Sequence, residues 1–406
     1  MNRKYKKSQF NYESHTQSGH IIYNTLYNSL TRLSDEEYQI YLSLLEDEEN
    51  APVVNQLLLQ GLWVDARVDE LEQYNLYADY ANKYISNKPH LTITPTMECN
   101  ARCFYCYEEG VRCGRMHKEQ CKDIIEFLKT LDCSDGIDLT WFGGEPLMNQ
   151  EWMDCFSERL EEAGIEYSAF IITNGSKIND STIEKMTNKW KIQDVQITLD
   201  GSFDEYASRK SYVDQDENIY YKILQTIGKL ARNGISVQVR MNIDRNNRES
   251  ILTAVTDIAE LFNDNSQVKC YPAFLAGTSE PLSEKEKIQF IKSMIEVSRG
   301  KFNVNECLYR LPRTKACYYN QKSAFSIDVN GNVYICEHML GHEQQAIGNI
   351  KSEVIFDERE QSGKRKECQR CVFLPKCQGG CVDSMKNGDV PCFTDRYIIK
   401  AYLDLL

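Results

Sequence analysis

Three cysteines, Cys99, Cys103 and Cys106, lie in one short stretch, Cys99-Asn100-Ala101-Arg102-Cys103-Phe104-Tyr105-Cys106. Three thiolates at this spacing can hold three irons of a 4Fe–4S cube and leave the fourth iron open, whereas full structural ligation needs a fourth cysteine. An open position is what a catalytic metal requires. Zinc is the alternative, but a zinc knuckle usually takes four ligands locally, and Cys113 is the next cysteine along. A second set comprises Cys317, Cys336, Cys368, Cys371, Cys377, Cys381 and Cys392. Asp328 to Val333 reads as a hairpin turning at Asn330-Gly331, which would present Cys336. The spacing of this set also suits a pair of four-cysteine zinc sites. Cys113, Cys121, Cys133, Cys155 and Cys270 read as buried thiols.

Compartment and charge narrow the chemistry. The segment from Met1 to Phe10 is basic but runs into polar residues, unlike a secretory signal, and no apolar run is long enough to span a membrane. A cytoplasmic chain is therefore expected, where disulfides are rare and 16 cysteines point to metal or clusters. A formal charge of -13 argues against duplex nucleic acid, which needs a surplus of Lys and Arg. No nucleic-acid or membrane partner is expected.

The elements that must position these cysteines follow from periodicity. Residues 1–88 read as a small α+β module, with a strand pair around Tyr27-Asn28 and helices over Asp35–Leu45, Pro52–Leu62 and Leu71–Ile85. Residues 89–300 alternate strand and helix. The strands are Leu91–Thr94, Ile137–Phe142, Tyr167–Ile172, Val195–Leu199, Val237–Ile243 and Val268–Phe274, and they read as apolar runs buried on both faces. Six such units imply a parallel α/β sheet, too short for a closed eight-stranded barrel and so a partial (β/α)6 barrel. Chemistry then belongs at the C-terminal strand ends. Residues 301–406 lose this alternation and read as a small region stapled by metal.

The first motif sits at the end of the first strand. Gly143-Gly144-Glu145-Pro146 ends the second, Thr173-Asn174-Gly175 the third and Thr198-Leu199-Asp200-Gly201 the fourth. A CX3CX2C motif with Tyr105 before its last cysteine, followed by these strand ends, resembles the radical S-adenosylmethionine (SAM) superfamily. The resemblance implies a catalytic 4Fe–4S cluster on Cys99, Cys103 and Cys106 that binds SAM. It implies further SAM contacts through Tyr105, Gly143, Gly144, Glu145, Asn174, Asp200, Arg209 and Arg240. Glu145 would pair with the SAM ammonium, and the glycines would permit close backbone approach. Arg209 would clamp a carboxylate, although Tyr206-Ala207-Ser208-Arg209-Lys210 lacks the family's His and leaves the Arg register open by one. Arg240 and Asn242 would face the interior, with the SAM carboxylate or Asp200 as the anion that a buried Arg needs.

The C-terminal cysteines resemble a SPASM domain, which carries two auxiliary 4Fe–4S clusters. The resemblance assigns Cys317, Cys336 and Cys381 to the first, with Cys307 or an open site as its fourth position. It assigns Cys368, Cys371, Cys377 and Cys392 to the second. The function it implies is a peptide maturase: SAM is cleaved reductively, and the 5'-deoxyadenosyl radical cross-links side chains of a ribosomally made precursor peptide. The electron donor would be a flavodoxin or ferredoxin. Residues 1–88 would bind a leader peptide by strand addition, or simply pack on the barrel. The alternatives are an anaerobic sulfatase-maturating enzyme and, from another class, a non-catalytic iron–sulfur redox sensor.

Overall fold

The computed structural model describes residues 4–17, 19–43, 50–84, 88–111, 113–275, 280–302, 304–310, 312, 317–352, 354–355, 365–382 and 392–406. The N-terminal module holds β1 (Tyr5–Lys7), β2 (Asn11–Thr16), β3 (Gly19–Asn24), β4 (Ser29–Leu33) and β5 (Trp63–Asp65). Strands β2, β3 and β4 form an antiparallel meander, and β1 pairs with β5. Asn28 turns the expected strand pair with a left-handed φ of 59°, a conformation Asn tolerates. Three helices, Asp35–Ser43, Ala51–Leu59 and Glu70–Tyr84, complete the module. The expected ends Leu44, Leu45 and Ile85 lie outside the described residues. Tyr41, Leu57, Leu62 and Trp63 form its own small core.

Among the described residues the main sheet has nine strands. In chain order they are β6 (His90–Thr96), β7 (Ile137–Gly143), β8 (Tyr167–Thr173), β9 (Ile192–Thr198), β10 (Ser236–Ile243), β11 (Val268–Phe274), β12 (Ala324–Ile327), β13 (Asn332–Tyr334) and β14 (Gly348–Asn349). Their order in the sheet is β11-β10-β9-β8-β7-β6-β12-β13-β14, so the sheet is open, with β11 and β14 at its edges. Every neighbouring pair from β11 to β12 is parallel, and β13 and β14 add antiparallel pairs. Helices follow each strand from β6 to β11, over Glu119–Leu128, Gln150–Glu162, Asp180–Asn188, Ile219–Arg232, Arg248–Leu261 and Glu284–Val297. Their caps are local: Asn179 accepts from Thr182 N–H, and Ser283 and Glu286 form a reciprocal capping box.

Two expectations need correction. The strands are not apolar on both faces. Leu139, Trp141, Ile171, Val195, Ile197, Val239 and Met241 are buried against the helices. The alternate positions His90, Thr92, Thr140, Gln196, Gln238, Arg240 and Asn242 form a polar inner face. Polar residues persist there because that face borders cavities: one of about 400 Å³ lined by Gln238, Arg240, Lys269 and Tyr271, and one of about 330 Å³ beside His90, Asp138, Thr140 and Asp194. Nor are residues 301–406 without a core of their own. Their first hairpin joins the main sheet, with Ala324 to Ile327 in parallel register on His90 to Ile93. Phe142 and Ile172 of the inner face pack with Tyr319, Tyr334, Met339, Leu340 and Val382. The C-terminal segment thus covers the inner face.

The N-terminal module docks on this C-terminal segment. Phe10, Tyr74 and Leu374 share a core that Cys368 joins. Tyr12 packs on Phe373 at 5.2 Å, Asn75 bonds Gln369 at 3.2 Å and Ser14 bonds Asp404 at 2.8 Å.

Candidate functional site

Strand β6 is fully buried along its length and delivers Cys99 three residues past its end. The loop that follows is held by backbone on both sides. Glu145 N–H donates to Glu98 O at 2.9 Å and Gly144 N–H to Thr96 O at 3.2 Å. On the other side Arg102 N–H donates to Lys210 O at 2.9 Å and Val213 N–H to Asn100 O at 2.8 Å. Cys106 N–H closes a turn on Cys103 O at 3.2 Å. Cys99, Cys103 and Cys106 are all partly exposed, as ligands to an entering group must be. Ala101 N–H donates to Cys99 Sγ at 3.4 Å.

Gly144 explains the double glycine. A Cβ there would sit 2.4 Å from Glu98 O and 2.5 Å from Met97 O. Gly143, at φ +111°, would meet Thr96 O at 2.5 Å. The close approach is therefore of the chain to its own cysteine loop. We expect Gly144→Ala to displace that loop and lower iron binding by the Cys99, Cys103 and Cys106 set, with the other cysteine groups unaffected. Iron analysis combined with circular dichroism checks it, and full iron content would count against this packing role.

Several strand-end residues meet here in a way that departs from the expected roles. Glu145 is fully buried and accepts from Leu147 N–H at 3.2 Å, Thr173 Oγ1 at 2.8 Å and Asn174 N–H at 2.8 Å. Burial raises its pKa, while these donors pull the other way. Both carboxylate oxygens thus accept from the protein, tying β7 to β8. Asn174 Nδ2 donates to Asn100 Oδ1 at 2.9 Å, fastening β8 to the cysteine loop.

Asp200 is fully buried. Its carboxylate takes the Tyr105 hydroxyl, Lys210 Nζ at 3.1 Å and Asn242 N–H at 3.0 Å. Lys210 also donates to the Tyr105 hydroxyl at 2.9 Å. The partner of Asp200 is therefore Lys210 and not Arg240. Lys210 is the residue that sequence reasoning missed, and the one-residue uncertainty of the Arg register was the available signal. Arg209 instead pairs with Asp244 at 2.7 Å and lies over Phe104. Arg240 lines the inner-face cavity, and its Nε donates to Asn242 Oδ1 at 3.0 Å. The helix Phe203–Lys210 that carries Arg209 and Lys210 was also not anticipated. At two turns it is too short to show a period.

The C-terminal cysteines fall into two neighbourhoods. Cys317 and Cys336 each feel the charge of Cys381. Cys368 feels Cys371 and Cys392, and Tyr397 feels both Cys392 and Cys377. Cys307 is buried in the main core beside Tyr23 and borders the Arg240 cavity. Cys317 and Cys336 each precede a short 3-10 turn. Burial raises the Cys317 thiol to about 11, while N–H donors from Tyr319 and Asn320 pull it down. His338 N–H does the same at Cys336. Among the described residues no three His, Cys, Asp or Glu side chains meet at one ion-sized point.

The two ends of the inner face meet at Tyr107. Its ring stacks on His338 at 4.4 Å. Its hydroxyl is raised well above the usual range, by desolvation first and then by Glu108, Glu337, Cys336 and Cys106. The side chain is nonetheless 46% exposed. The ring lies between the first cysteine motif and the Cys336 group.

Comparison with known proteins places this arrangement. Residues 93–258 match the Radical SAM superfamily model, the stretch that holds the cysteine loop and the strand ends. An uncharacterized protein of Methanocaldococcus jannaschii is 25% identical over 282 residues, which is 66% of this chain and 90% of that protein. Among solved structures, Streptococcus suis SuiB bound to precursor peptide SuiA is similar over 97% of this chain and 99% of that chain, with TM-score 0.54 and 16% identity. Native anSMEcpe with bound AdoMet is similar over 78% of this chain and 95% of that chain, with TM-score 0.60 and 16% identity. These likenesses show an α/β fold with a mostly parallel sheet. Among the described residues no helix is long and apolar enough to cross a membrane.

Proposed function

We propose that this chain, a radical SAM enzyme by its matched domain, is a peptide maturase that cross-links side chains of a ribosomally made precursor. When bound, the cluster and SAM supply a 5'-deoxyadenosyl radical that abstracts hydrogen from the substrate. The chain's own residues do the rest. Cys99, Cys103 and Cys106 hold the cluster on a loop pinned by Gly144 and Lys210. Asp200, Lys210 and Tyr105 form a buried polar floor behind that loop. The open sheet serves as a partial barrel, and its polar inner face receives the substrate. The C-terminal segment covers that face and excludes water. We read that segment as a SPASM domain whose two cysteine groups hold auxiliary clusters.

The observation that carries the choice of substrate is the extent of likeness. The structure of SuiB with a bound precursor peptide matches 97% of this chain, so the match takes in most of residues 1–88. The anSMEcpe match stops at 78%. A sulfatase-maturating reading leaves the N-terminal module without a task, whereas leader-peptide binding gives it one. Residues 1–88 rest on the C-terminal segment beside Cys368, where a bound leader would feed its core peptide over the covered inner face.

The test is incubation of the reconstituted protein with SAM, a reductant and the short peptides encoded beside its gene. A peptide that loses two hydrogen atoms, with 5'-deoxyadenosine released, supports the maturase. Formylglycine in a sulfatase-derived peptide would select the rival, and absence of SAM cleavage would favour the sensor.

A further inference from the structure

Among the described residues, the two C-terminal cysteine groups stand in opposite electrostatic surroundings. At the Cys317, Cys336 and Cys381 group the nearest described charge is negative. The Cys336 thiol lies 3.9 Å from Glu337 Oε2, and Glu337 acts on Cys317 as well. Among the described residues no ion pair joins Glu337 to a base. At the Cys368, Cys371, Cys377 and Cys392 group, two arginines donate directly to sulfur. Arg396 reaches Cys392 Sγ at 2.9 Å and Arg365 reaches Cys368 Sγ at 3.3 Å. Both guanidinium groups are fixed by other partners, Arg365 on Gly379 O at 2.7 Å and Arg396 on Glu284 at 3.2 Å. Lys287 adds a third positive charge within range of Cys392.

Hydrogen bonds to sulfur and net charge are the levers by which a protein sets the potential of an iron–sulfur cluster. A reduced cluster carries one more negative charge than an oxidised one, so guanidinium donors favour the reduced form and a neighbouring carboxylate disfavours it. We infer that the two groups are graded in electron affinity, and that Arg365 and Arg396 make the Cys368, Cys371, Cys377 and Cys392 group the electron sink. This rests on the reading that both groups hold clusters.

The gradient also has a direction in space. The Cys336 group adjoins Tyr107 and Cys106 of the first motif. The arginine-bound group lies against the N-terminal module, where Cys368 packs with Phe10, Tyr74 and Leu374. Forming one bond between two side chains removes two hydrogen atoms. One passes as an atom to the adenosyl radical, and the other leaves as a proton and an electron. Clusters held by the two groups would pass that electron from the Cys336 group to the arginine-bound group, with a one-electron carrier protein as the final acceptor.

The test uses full-length protein with Cys99, Cys103 and Cys106 changed to Ala, reconstituted anaerobically and titrated potentiometrically by EPR. Two transitions are expected, from about eight iron. Arg396→Leu and Arg365→Leu should each move the more positive transition downward and leave the other in place. Arg396→Lys should hold it near the parent value, and Glu337→Gln should move the more negative transition upward. Arginine variants that keep their iron yet move neither transition, or move the more negative one, overturn the inference while the two-cluster reading stands. If Arg396→Leu loses iron, Arg365→Leu and Arg396→Lys decide. A parent with about four iron or fewer overturns the two-cluster reading itself, and the gradient falls with it.

Discussion

Cys99→Ala should abolish 5'-deoxyadenosine release while the protein stays folded and keeps about eight of about twelve iron. The size of the effect follows from the geometry. A site-differentiated cube needs three protein thiolates, and the described structure offers no substitute beside the loop. Cys113, the nearest in sequence, is exposed and closes its own local turn with an N–H to Val111 O at 2.9 Å. Folding should be spared because Cys99 is only partly buried and its loop is anchored through backbone groups of Thr96, Glu98, Asn100 and Lys210. The measurement pairs product analysis by chromatography with iron and sulfide determination on the same sample. Residual cleavage above the uncatalysed background would mean that another group completes the site. Loss of all iron would mean that the cysteine groups assemble as one unit.

Much of this arrangement was legible in the sequence because local pattern and final role coincide. The six strands from β6 to β11 fall where apolar runs mark them, within a few residues. Asn330-Gly331 turns the hairpin before Cys336, with Gly331 at φ +80°. What the sequence hid was long-range. Nothing local says that Ala324 to Ile327 will pair with β6, since a short strand's partner is chosen by the sheet edge available to it. Nor does a Lys beside an Arg announce which of them turns inward. On the short helix Phe203–Lys210, positions 209 and 210 lie three and four residues past the buried Tyr206, so both neighbour it and spacing does not choose between them.

That inward Lys carries the second large expected effect. Lys210→Met should cost about 3–5 kcal/mol of stability, the range found when one partner of a buried ion pair is removed. The pair is dry, with side chains 4% and 0% exposed for Lys210 and Asp200. Without the ammonium, Asp200 keeps only the Tyr105 hydroxyl and Asn242 N–H against its desolvation. Desolvation alone would lower the Lys210 pKa, but Asp200, Tyr105 and Cys103 outweigh it and raise it well above the ordinary value. A raised folded-state pKa makes the stabilisation fully present below the ordinary lysine range, to be lost only as pH rises through the folded value. The deficit of Lys210→Met should therefore be constant across neutral pH. Arg209→Met should cost less, because Asp244 retains N–H donors from Asn246 and Asn247 at 2.8 and 3.2 Å. Denaturant unfolding of the reduced apoprotein from pH 6 to 9 measures both, and Asp200→Leu combined with Lys210→Met should recover part of the loss. If Lys210→Met instead falls within about 0.5 kcal/mol of the parent, as an ordinary surface substitution would, the buried floor behind the cysteine loop is not held by this pair. The anchoring of Arg102 N–H on Lys210 O would then be a backbone matter alone.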